Sequence, residues 1–178
     1  MIVFITSLVA AILFVAYVVL ECHFFGVPIS ISNSFYLYNS KKNGLGYVFT
    51  MFLFAEAFLI MFSMLSMSEG HWYQFMGFIP AVGIAMCGCA PRTKESDLEN
   101  NIHVAGAMIG AFGGLFWCAM QCLPSAAFFS LIMAWTSVWC ARYSDTYDEK
   151  YLTFWAEVAG FGSTLINVVL NAIVYAFA

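Results

Sequence analysis

The sequence predicts an all-α fold: an integral membrane bundle of six transmembrane helices plus one short interfacial helix, as a single polytopic domain over residues 1–178. Three observations predict it. The chain is 63% hydrophobic and 9% charged, whereas a soluble domain is about 25% charged and about 45–50% apolar. Six stretches come near the ~20 mostly apolar residues that a helix needs to cross the hydrocarbon. With six crossings, all the basic residues (Lys41, Lys42, Arg92, Lys94, Arg142 and Lys150) fall on one side. The positive-inside rule makes that side cytoplasmic and places both termini outside.

Each element follows from local chemistry. Ile2–Leu20 reads as a retained first helix, because no Lys or Arg precedes it and no small-x-small site stands before Glu21. Phe24 to Tyr38 is too apolar for a free loop and too short and polar to cross. Pro28 and Ser30 suit a helix start, so a short helix is expected over 30–39, at the interface or tucked between helices. The second span is Gly46–Met67 and the third Trp72–Ala90. The fourth is Ile102–Leu123, with Asp97 or Asn100 as its cap and Glu99 in its first turn. A tight hairpin at Gln121–Ser125 leads to a short fifth span, Pro124–Ala141, and the sixth runs over Tyr151–Tyr175.

Polar groups inside such spans are costly and need a reason. Glu56 lies in the second span and Glu157 in the sixth. Glu157, Thr164 and Asn171 are seven apart, with Asn167 one turn from the last two, so they form a stripe along one helix face. Two readings stand: a lined path or ligand site, or helix–helix hydrogen bonding. His103 opens the fourth span, either as an interfacial residue or as one of a group with Glu21, His23 and Glu157 around a cytoplasm-facing cavity. Gly106, Gly110, Gly113 and Gly114 let a neighbouring backbone approach closely, within the chain or between copies of it as a homo-oligomer.

Metal chemistry has two weak candidates. Met61, Met64 and Met67, with His71, Met76, Cys118 and Cys122, offer soft ligands of the kind that reduced copper takes. Cys22, Cys87, Cys89 and Cys140 gather near one depth, but Cys-x-Cys without a second pair is a poor zinc signal. Met and Cys at helical spacing are ordinary apolar filler, so no metal and no cofactor is expected. The net charge of −4 without a basic patch points away from nucleic acid and leaves the lipid bilayer as the expected partner. Phosphate-loop, dinucleotide-binding, His-Glu-x-x-His and Gly-x-Ser-x-Gly signatures are absent from the sequence.

Two segments carry a resemblance. Val27-Pro-Ile-Ser-Ile-Ser-Asn-Ser-Phe-Tyr36 resembles a Pro-x-Ser-Ile-Ser loop after the first helix of small polytopic membrane proteins of bacteria and phages. Asp97-Leu-Glu-Asn-Asn-Ile-His-Val-Ala-Gly106 is similar to their later acidic stretch, which is followed by His and a Gly-rich helix. Asn33-Ser34 departs from the more usual Ala-Thr. The resemblance implies a layout and brings no activity. A remoter likeness is to the membrane hydrolases that include alkaline ceramidases, which hold zinc with three His beside a Ser and an Asp. Ser30, Ser32 and His103 are present here, but the sixth span has no histidine.

The leading functional expectation is a protein that binds or translocates a small molecule or ion through a polar interior of Glu56, Glu157, Thr164, Asn167 and Asn171, with His103 near the inner mouth. An accessory protein whose inner segment, including Ser30, Ser32 and Asn33, binds a partner is the second. A hydrolase using Ser30 or Ser32 with His103 is the third, and the residues favour a non-enzymatic role over it.

Overall fold

A computed structural model describes residues 1–121, 124, 127, 128, 131–133, 135, 136, 139 and 150–177, with the side chains of 150 and 151 left aside. Among these residues the fold is all-helical, without a strand. The elements are α1 (Ile2–Phe25), a 3₁₀ turn (Ile31–Asn33) running into α2 (Ser34–Lys41), α3 (Tyr47–Met67), a second 3₁₀ turn (Gln74–Gly77) running into α4 (Phe78–Cys89), α5 (Asp97–Gln121) and α6 (Lys150–Phe177). Half of the expected span 124–141 and most of its hairpin lie outside the described residues. Those described within it, such as 131–133, are helical.

Four helices are long and apolar enough to cross a membrane: Ile2–Phe25, Tyr47–Met67, Asp97–Gln121 and Leu152–Phe177. Their outward faces are continuous apolar surface. Ile5, Val9, Ile12, Val15 and Val19 stand exposed along α1, and Met108, Phe112 and Phe116 along α5. Surfaces of this extent are rare on soluble monomers and suit lipid.

Several boundaries differ from expectation, each for a local reason. α1 runs past Leu20 to Phe25, stopping where Gly26 turns at φ 75°, so Glu21 belongs to the helix. The third expected span is a shorter apolar unit, Gln74–Cys89. Pro80 fits the first turn of α4, and Pro91 disfavours helix at the residue before it. α5 begins before Ile102, because Ser96 Oγ accepts the Glu99 amide at 3.4 Å. Ser96, and not Asp97 or Asn100, therefore takes the cap position, with Asp97 and Glu99 in the first turn. The short helix expected over 30–39 is the pair 31–33 and 34–41, with Ser30 accepting from the Asn33 amide at 3.1 Å.

α3 is central, packing against α1, α2, α4 and α6, while α4 lies along α5. The α4–α5 contact depends on glycine. A Cβ at Gly83 would come 2.5 Å from the Gly106 carbonyl oxygen, and one at Gly106 would come 2.7 Å from that of Gly83. At Gly113 it would meet Ile79 at 2.7 Å, whereas at Gly110 the nearest atoms stand 3.7 Å away. Gly114 faces Thr164 of α6, with 3.1 Å to its hydroxyl. The glycine face of α5 is thus occupied within the chain.

Candidate functional site

Ring stacking and one hydroxyl pair fix the register of three helices. Tyr17 stacks on Phe52 at 3.9 Å, and Thr6 Oγ1 meets Ser63 Oγ at 3.1 Å. Each step along α1 is therefore matched by one backward along α3, which places Glu56 level with Leu13. Phe14 stacks on Phe161 at 4.9 Å, and α6 begins where α1 ends. By the same reasoning Glu157 stands level with Val18, between Tyr17 and Glu21, and Gly162 stands level with Glu56.

The result is a column of polar groups between α1, α3 and α6. From the end at which α1 finishes it runs through Glu21, Glu157 with Tyr17, Glu56, Ser163, and then Ser63, Ser7 and Asn167. Glu21, Glu56, Ser7 and Ser63 are 0% exposed. At ~1.5 Å per residue, Glu56 sits about 14 Å along α3 from Tyr47 and about 12 Å along the bundle from Glu21.

The two levels nearest the end of α1 are also the best connected. Glu157 Oε2 accepts the Ile31 amide at 2.5 Å, so a carboxylate from α6 closes the start of the 31–41 segment. Tyr17 Oη and Ser34 Oγ form a buried pair at 2.5 Å. Glu21 lies within electrostatic reach of Glu157, Tyr17, Cys22 and Tyr38. Yet no oxygen of Glu21 or Glu56 has a hydrogen-bond partner, a condition shared among the described residues by Trp117 Nε1. Unpaired buried polar groups are uncommon and costly, at roughly 1–3 kcal/mol each.

The remaining sequence-predicted residues divide. Thr164 donates to the Gly160 carbonyl at 3.1 Å, as does Ser163, which is not among the expected residues, at 3.0 Å. Asn167 Nδ2 donates to Ser163 and Asn171 Nδ2 to Asn167, at 2.9 and 2.8 Å. These donors turn back onto their own helix, a habit of short polar side chains in helices. His103 is not gathered with the acids. Its Nδ1 lies 3.2 and 3.1 Å from the Cys87 and Ala90 carbonyls, at the end of α4. His23 is exposed. Ser30 and Ser32 pair with each other at 3.0 Å, and no bond joins either to His103. No hydrogen bond or ion pair joins Glu56 to Glu157.

The 31–41 segment is fastened, not free. Lys94 Nζ donates to Asn33 Oδ1 at 2.5 Å, the Lys94 amide donates to Tyr36 Oη at 2.8 Å, and the ammonium sits 4.9 Å from the Tyr36 ring centroid. Arg92 pairs with Glu99 at 2.9 Å, and the Glu99 carboxylate holds the Arg92 guanidinium above its usual range. Burial, with a smaller contribution from Glu21, pushes the Tyr38 phenol up.

Glu21 is the residue that sequence reasoning underweighted. A signal existed: Val3, Ser7, Ala10, Phe14, Tyr17 and Glu21 repeat every three or four residues and are the buried face of α1. Among the described residues no trio of His, Cys, Asp and Glu gathers to hold a metal ion. No protein-family model, no curated protein and no solved structure matches the chain.

Proposed function

We propose that this chain is a multi-pass membrane protein that binds and translocates a small ion along the column between α1, α3 and α6. The observation that carries this reading is Glu56, a fully buried carboxylate near mid-span with neither oxygen partnered. A structural acid normally finds a donor. An acid left without one is suited to take a proton or cation as its partner, and ionisable residues within spans commonly mark ion pathways. Glu21 and Glu157 supply the inner end of the column. In the full layout six helices cross, the Lys and Arg loops face the cytoplasm, and both termini lie outside. Tags on the two ends should then be accessible from the same face.

Reconstitution tests the activity. Liposomes holding the purified chain, loaded with a pH-sensitive or alkali-sensitive dye, should pass protons or alkali ions under an imposed gradient. Glu56→Gln should abolish the flux, and Glu69→Gln, at an exposed loop acid, should leave it unchanged. Flux no greater than in protein-free liposomes refutes the reading.

A further inference from the structure

We propose that Glu21 and Glu157 together bind one monovalent cation, a proton or an alkali ion, at the inner end of the column. The inference rests on the ion-binding reading above and names the site at which the ion first stops.

The geometry supplies both halves of a site. Glu21 is 0% exposed, with both oxygens unpartnered. Glu157, about one turn away in register, is only partly buried. Its Oε2 is held by the Ile31 amide, while Oε1 has no such bond. One acid is therefore fixed in place and open to entry, and the other is sealed behind it. The groups around them are Tyr17 and Cys22 on α1, Ser34 and Tyr38 on α2, and Cys87 on α4. None is a cation. Arg92 is paired with Glu99 and Lys94 with Asn33.

Charge decides what fits. Two bare carboxylates about one turn apart, largely out of water and without a counter-ion among the described residues, repel each other and lose hydration. One positive charge between them relieves both costs, and a proton shared by two acids is the smallest form of it. A divalent transition metal would want three or four ligands. The described residues gather no such set of His, Cys, Asp and Glu, so a single monovalent charge is the match.

Infrared difference spectroscopy on the detergent-solubilised full chain tests this, reading the carboxylic C=O band after pH steps and after sodium or potassium addition at fixed pH. The wild-type response should contain a component, separate from that of Glu56 and the exposed acids, that is lost in Glu21→Gln and equally in Glu157→Gln, because one charge is shared, and that is kept in Glu56→Gln. A response to pH alone assigns a proton. Displacement by alkali with proton release assigns an alkali ion. Glu157→Gln keeps an acceptor for the Ile31 amide and Glu21→Gln keeps the side-chain size, so folding should survive. If either variant fails to fold, Glu21→Asp and Glu157→Asp should each shift the band. A wild-type response without that component, a component that survives in either of these two Gln variants, or Asp variants with an unshifted component overturns the proposal. A responsive band in protein that passes no ion would sink translocation and leave this site standing. Flux with an unresponsive band would sink the site alone.

Discussion

Glu157 and Ile31 lie at opposite ends of the chain, yet the carboxylate of one accepts the backbone amide of the other at 2.5 Å. This bond ties α6 to the start of the 31–41 segment, whose Ile31, Asn33, Ser34 and Phe35 are buried. A segment packed over the end of the bundle is held in place in part by a side chain from the last described helix. Asn33 and Tyr36 add further ties, through Lys94.

Removing that acceptor should loosen the segment. Glu157→Ala leaves the Ile31 amide unpaired, at about 1–3 kcal/mol. Glu157→Gln retains a carbonyl oxygen and should cost less. The measurement is limited proteolysis with amide hydrogen exchange across residues 27–42. The Ala variant should exchange and cut faster there, and the Gln variant should stay close to wild type. Equal protection in wild type and Ala variant would show that the bond contributes little.

The α4–α5 contact makes a positional prediction. Gly83→Ala and Gly106→Ala each drive a methyl into the facing backbone, and overpacking of this kind costs about 1–3 kcal/mol. Gly110→Ala meets nothing nearer than 3.7 Å and removes a helix-weakening glycine, which is worth up to about 1 kcal/mol. Thermal unfolding in detergent should therefore rank Gly110→Ala at or above wild type, with the other two clearly below. Similar losses at all three positions would contradict the packing described here.

Some of this was legible in the sequence. Hydropathy located the apolar helices, because lipid imposes length and composition directly. It missed the ends of α1 and α5, since polar residues such as Glu21 and Asp97 continue a helix that an apolar pattern appears to finish. Glu56 and Glu157 were visible as costly residues, but their partners were not. The amide that holds Glu157 comes from Ile31, a backbone group with no sequence signature. His103 reads as a site residue by its chemistry, and only the position of the α4 carbonyls reveals a capping role. The glycines of α5 predicted close approach without saying whether α4 or another copy of the chain supplied the neighbour.

Alkaline stability should carry the mark of Tyr38. Burial raises its phenol above the ordinary 10.0, so the folded state keeps the proton after the unfolded chain begins to lose it. That contribution is complete below pH 10 and fades as pH climbs through the folded value. Tyr38→Phe removes a group that cannot ionise cheaply in place. The variant should match wild type at neutral pH and lose less stability above about pH 10. Parallel melting curves across that range check the point, and identical alkaline limbs would count against it.

Glu56 allows function and stability to be set against each other. Both its oxygens are buried and unpartnered, so the folded state carries an uncompensated cost there. Glu56→Leu keeps similar bulk and removes that cost. If Glu56 serves ion binding, the variant should melt higher in detergent, by an amount reflecting the roughly 1–3 kcal/mol of an unsatisfied buried group, while passing no ion in liposomes. If the acid instead held the helices together, leucine would lower the melting temperature. Stability gained together with flux lost is the pattern expected where activity needs a destabilised site. A melting temperature below wild type would assign Glu56 to the architecture of the bundle and remove the observation on which translocation rests.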